Sequence, residues 1–290
     1  MSLLSPEVSA LAYGLLKLPD SALREEWHGT RGDRRWRDYS DNLSDVTFSI
    51  YQQLRSFSVT VQAKRAKQGP AATQAQLLLA QLQVAYRDFH GVLAGVKDGE
   101  LDLTPFVKKW SLRMNIVHLL TAECFSQGPK ARQAIDQKRS GYDSSSATRA
   151  THLNGEMPAD HGSLIDLLGR FDMCHDDLIR SLEDIADEEL DAPSAYWEDE
   201  PVDVRFRIER FAWHLRSHAM QVDRIRAAIG YRITDMDRLT RLLYNALGEA
   251  EGSIIGAAES LVDLETSIAA VLHIRVKEVE ALVNSSPILS

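Results

Sequence analysis

The chain is poor in cysteine: Cys124 and Cys174 are the two among 290 residues. They stand far apart and form no Cys-x-x-Cys pair, which argues against a cysteine-built metal site and suggests no disulfide framework. A reduced compartment, the cytoplasm, is the expectation. Long apolar runs are missing too; none approaches the roughly 18 residues of a membrane span. The first twenty residues include Pro6 and Glu7 and have no basic stretch ahead of their apolar ones, so they do not read as a signal peptide. Basic charge is not in excess: 33 Lys and Arg face 42 Asp and Glu, a net −9. Neither nucleic acid nor an anionic membrane is therefore an expected partner. Nor is there a persuasive alternating strand pattern.

What remains is helical periodicity, in a chain long enough to bury a sizeable core. Leu78, Leu82, Tyr86, Phe89, Leu93 and Val96 mark one face of a helix over 73–96. A second helix is expected over 105–126, with Thr104 as cap and Pro105 at its first position. Gly128-Pro129 stops it, apart from a short extension through Lys138. A long polar connection, 141–162, follows. The third helix starts at Ser163 and repeats its apolar positions by fours and threes through Ile185. An acidic segment leads to the fourth, which reads Ile208, Phe211, Leu215, His218, Val222, Ile225 and Ile229. The short first link makes helices one and two antiparallel neighbours. The long second link lets helices two and three run parallel. The expectation is an all-α, up-down-down-up four-helix bundle with additional flanking helices.

The bundle is expected over 71–230. Residues 1–70 form an N-terminal helical extension packed on it, with helices near 7–17, 20–27 and 41–66. Residues 231–290 form a C-terminal one. Gly248, Gly252 and Gly256 share a face of the C-terminal segment. As poor helix formers, they mark a kink or a close helix contact, within the chain or in a homodimer. Trp27, Trp36 and the arginines 31, 34, 35 and 37 read either as a docking surface or as a solvated charged run.

Nine histidines include one pair, His214 and His218, four apart on the fourth helix. Such a pair arises by chance in roughly one sequence of this kind in four, so the spacing alone is weak. Position adds to it. His218 occupies a seam position where an aliphatic residue is ordinary, and a buried imidazole must satisfy two ring nitrogens. A metal ion is one shared partner; a buried water or carbonyl is another. A third ligand comes from His175, on the seam of helix three, or His118, on helix two. His90 flanks the core face of helix one. His28, His152, His161 and His273 read as solvated.

Trp110-Ser111, then His118-Leu119-Leu120 and Glu123, together with the HLRSH of helix four and the acidic end of helix three, resemble the DinB-like metal-binding bundles over about 73–230. The resemblance implies a metal triad of His118, His214 and His218, with His175 as a core histidine. It implies a divalent ion (zinc, nickel, iron or manganese) with open positions. It also implies a small-molecule substrate and a metal-dependent S-transferase that uses a low-molecular-weight thiol such as bacillithiol, or a hydrolase. The other reading is a non-catalytic metal- or ligand-binding stress-response or assembly module. Glu123 and Glu209 are candidate acceptors for the ligand rings.

Overall fold

The computed structural model describes residues 2–27, 42–68, 71–105, 109–141, 161–195, 201–257 and 262–285. Among them the architecture is all-α but for one two-stranded ribbon. Helix α1 spans Leu4–Leu15 and α2 Leu43–Gln68. The bundle follows as α3 (Gln74–Leu93), α4 (Leu112–Ala122), α5 (Gly128–Arg139), α6 (Leu164–Leu182) and α7 (Val204–Ala228). Then come α8 (Asp235–Ile254) and α9 (Val262–Ser285).

Capping explains most of the starts. Thr73, Ser163 and Thr234 open α3, α6 and α8, each accepting from the amide three residues on, and in each that third residue bonds back. Such reciprocal caps satisfy two otherwise orphaned amides. The start of α4 differs from expectation. Ser111, not Thr104, caps it, its Oγ accepting from the Met114 amide at 3.2 Å. A serine with extended backbone one residue before the apolar stripe supplies the cap that the Thr104-Pro105 pair does not. Gly128-Pro129 does not end the helix, and the extension through Lys138 is present. The helix passes through a π turn, Glu123–Gln127, and continues as α5. Proline is tolerated at that junction because the π turn interrupts the regular helical hydrogen-bond ladder there. The acidic link before α7 holds an antiparallel ribbon, Pro193–Ala195 against Pro201–Asp203.

Cross-links between elements give the topology. Asn115 meets His218 and Gln127 meets Arg207, so α4 and α7 are antiparallel. Glu123 meets His175 and Arg132 meets Ser181, so α4–α5 and α6 run parallel. Gln83 meets His175 while Gln76 reaches Glu183, so α3 and α6 oppose each other. Arg226 reaches the Val92 carbonyl, which sets α7 alongside α3. The order is up, down, down, up. Cys124 and Cys174 do not stay single as the sequence suggested: they form a disulfide, with Cα atoms 5.3 Å apart. Parallel neighbours bring them together, and the inference of a reduced compartment from unpaired cysteines loses its support. No helix among the described residues is long and apolar enough to cross a membrane.

Two apolar cores result. One fills the bundle. The other is built by α1, α2, α8 and α9 together, so the two ends of the chain close one layer. Trp27 is buried in that layer, not displayed for docking; Trp36 and the arginines beside it lie outside the described residues. Helix α3 lies between the layers and packs on α8 through the glycine face. A Cβ on Gly248 would sit 2.8 Å from Val84 Cα, and one on Gly252 3.0 Å from Ala80 Cα. The glycine row is consumed within the chain. Gly256 ends the row at φ 63°, a conformation glycine adopts without cost.

Gly248→Ala should therefore destabilise the fold by about 1–3 kcal/mol, because backbone is what the methyl meets. Gly169→Ala on exposed α6, where nothing lies within 4 Å, should stabilise by roughly 0.5–1 kcal/mol. Urea unfolding of both variants checks the contrast; equal effects would contradict the α3–α8 contact.

Candidate metal centre

The antiparallel pairing of α4 and α7 brings three histidines together. His214 Nε2 lies 3.1 Å from His118 Nε2 and 3.0 Å from His218 Nε2. Donors about 2.1 Å from one ion, at tetrahedral or octahedral angles, lie roughly 3.0–3.4 Å apart. His118, His214 and His218 form a group compatible with a metal ion, and no carboxylate joins it among the described residues.

The protonation of the rings can be worked out. Asn115 is fully buried. Its Nδ2 donates to the Ser111 carbonyl at 2.8 Å, which turns Oδ1 toward His218 Nδ1 at 2.7 Å. An amide oxygen only accepts, so His218 Nδ1 carries the hydrogen and its Nε2 presents a lone pair. His214 Nε2 can aim one N–H at only one of its two neighbours. At least one of the two contacts is thus left without a hydrogen bond unless a cation lies between them. That is the test of fit, and the donor set passes it.

Burial keeps these rings uncharged. It pushes His218 down to about 3, with the neighbouring His214 and His118 adding to it. It pushes His214 down to about 4, with His118 and Arg210 contributing. His118 is lowered by burial alone. Neutral imidazole is the metal-binding form. Trp110 walls the group, stacked on His218 at 5.6 Å between ring centroids and tilted against His118 at 4.7 Å.

Residues 81–222 match the family model of the DinB superfamily. The bundle belongs to the DinB superfamily. Its match spans α4 and α7 and so includes all three histidines. Nothing matches among curated proteins or among solved structures.

The other histidines of the DinB domain are placed differently. His175 is buried in the core: its Nδ1 meets Glu123 Oε1 at 2.5 Å, its Nε2 meets Gln83 Oε1 at 2.7 Å, and its ring stacks on Tyr86. Both nitrogens are engaged, so it is not a member of the trio. Gln83 donates through Nε2 to Glu251, which leaves its oxygen to accept from His175. His175 Nδ1 is then the acceptor and Glu123 the donor. Burial agrees, pushing His175 down to about 3 and Glu123 well above the usual carboxylate range. Glu123 is therefore no acceptor for a ligand ring, and Glu209 lies exposed on α7. The acceptor is Asn115, missed in the sequence because one amide on a helix looks like any other. Ser111 and Asn115, four apart on the strip that carries His118, were the available sign. His90 is buried beside Asp172 and lowered to about 4 by that burial. His161 is exposed, and His273 pairs with Glu7 on the surface. His28 and His152 lie outside the described residues.

Replacing Asn115 with leucine should weaken divalent metal binding by about 10–100-fold, the usual cost of losing such a ring partner. Asn115→Asp, which still accepts from Nδ1–H, should retain most of it. Competition against a chelator measures both. The metal-free protein should also lose stability as pH falls from about 6.5 toward 4. An unfolded imidazole protonates near 6.5, while folded His90, His175, His214 and His218 stay neutral to about 3–4. The unfolded state thus binds more protons in that window, and stability rises with pH across it. Urea midpoints that do not change between pH 7 and 4.5 would contradict the neutral rings.

Proposed function

We propose that the chain is a metal-dependent thiol S-transferase in which His118, His214 and His218 hold a divalent ion. The convergence of three neutral Nε2 atoms carries this reading. Such an ion, when bound, lowers the pKa of a thiol so that it is a nucleophile at neutral pH. The protein's own contribution is to hold the lone pairs inward. Asn115 fixes the His218 tautomer, and the Ser111 carbonyl fixes Asn115. Trp110 packs against the rings of His118 and His218 and helps to hold them in place. Zinc, nickel, iron and manganese all suit imidazole nitrogen.

One observation favours a thiol over water as the nucleophile. No carboxylate stands in the group among the described residues. Hydrolytic metal sites commonly add an acidic side chain as general base, whereas a bound thiol ionises at accessible pH without one.

Protein produced without a histidine tag in metal-replete medium should carry about one divalent ion per chain, lost in His118→Ala and in His218→Ala. It should survive in His175→Ala wherever that variant folds. Elemental analysis with circular dichroism decides this; a wild type free of metal, or retention in His118→Ala, overturns the ligand set. The loaded protein should then conjugate a low-molecular-weight thiol to an electrophile. Ester hydrolysis without conjugation would instead favour a hydrolase, and neither activity a binding module.

A further inference from the structure

A cavity of about 630 Å³ opens between α2 and α3, away from the histidines. Both helices rest on α8, which floors the cavity with Gly252 and Ser253. Val59 and Ala66 on α2 and Leu77, Ala80 and Val84 on α3 give it apolar walls. Val59 and Leu77, on opposite walls, are 67% and 50% exposed. A concave site of this volume, part apolar and part polar, is of the size that takes a small molecule.

Two arginines line it. Arg55 is paired, with Glu249 at 3.1 Å and with the Tyr51 hydroxyl. Arg65 is half-buried and has no carboxylate partner among the described residues. Its Nη1 donates to the Ser253 and Ile255 carbonyls at 3.1 and 2.9 Å, and its Nη2 donates to Gln76 Oε1. Gln76 is turned to receive it, because its own Nε2 donates to the Glu183 carbonyl at 3.2 Å. The two carbonyls belong to the end of α8, and a helix end offers roughly half a negative charge. The guanidinium is thus oriented without being neutralised. Nε–H and one hydrogen on Nη2 remain, and guanidinium donors suit a carboxylate. Burial draws the Arg65 pKa down with no neighbouring charge opposing it. In a chain of net charge −9, a half-buried arginine with no acid beside it points to an anion from outside the chain.

We propose that this cavity is a second ligand site, for a small amphipathic carboxylate. Arg65 receives the carboxylate, and an apolar tail lies between the Val59–Ala66 wall and the Leu77–Val84 wall. Ten residues of helix separate Arg65 from Arg55, about 15 Å at 1.5 Å per residue, which leaves room for a tail of several carbons. The site is independent of the metal reading.

The full chain stripped of metal by a chelator tests it, since no bound ion can then hold the carboxylate. Octanoate and octanamide have the same tail and differ in the charge of the head. A merely apolar groove favours the amide, which loses less hydration. Calorimetric titration of the wild type should show octanoate bound about tenfold more tightly than octanamide, the worth of one charge-assisted contact. Arg65→Gln should bring the two affinities within about twofold of each other. Because Arg65 also caps α8, a second variant leaves it in place: Ala66→Trp, at an exposed position, fills the cavity and should weaken octanoate by about tenfold with circular dichroism unchanged. A wild type that binds no octanoate, equal affinities for the two probes, or octanoate binding undiminished in Ala66→Trp overturns the proposal. So does a dimer that Ala66→Trp splits and octanoate does not, which would show the groove covered by a second copy.

Discussion

Everything in this fold leans on α3, a helix buried on two sides. One side packs in the DinB bundle, and the other meets α8 across glycines that let the two backbones approach. From Leu82 to Leu93 the helix is buried almost throughout, so its polar groups there need partners inside. Arg87 makes a two-pronged contact with Glu251, and Asp88 takes Arg241 and Asn245. Gln83 bridges Glu251 to His175, and His175 passes the contact on to Glu123. One polar chain thus runs from α8 through α3 and α6 to the π turn. Removing one member would strand the others, which costs far more than a lost surface pair.

The same turn is tied twice more to its surroundings, by the Cys124–Cys174 disulfide and by Gln127 against Arg207. An extra residue in a helical turn changes which side chains face inward beyond it. Glu123 and Gln127, the first and last residues of the turn, both face the core. His118 precedes the turn and keeps ordinary helical register with Ser111 and Asn115. The half of the helix that carries His118 is thus regular, and the irregular half is cross-linked.

The helix stripes, the start of the third helix at Ser163 and the bundle order were legible in the sequence, because period and loop length are local properties. So was the pairing of His214 with His218. The start of α4 was not: Thr104-Pro105 and Ser111 are both good openings, and only the chain path selects between them. The extension through Lys138 was anticipated, but the π turn that carries the helix into it leaves no compositional trace. Asn115 did not stand out as a site residue, since its role exists only across the interface between α4 and α7.

The sequence by itself determined an all-α bundle and placed two imidazoles on one face of a helix, since 3.6-residue periodicity suffices for both. It could not choose His118 over His175 from periodicity, because both lie on inward faces. The tertiary structure decided that: the antiparallel contact of α4 with α7 turns His118 toward the pair, whereas α6 turns His175 to Gln83 and Glu123. Joining the two chain ends into one layer was likewise a tertiary outcome, because neither end can bury its apolar face without the other.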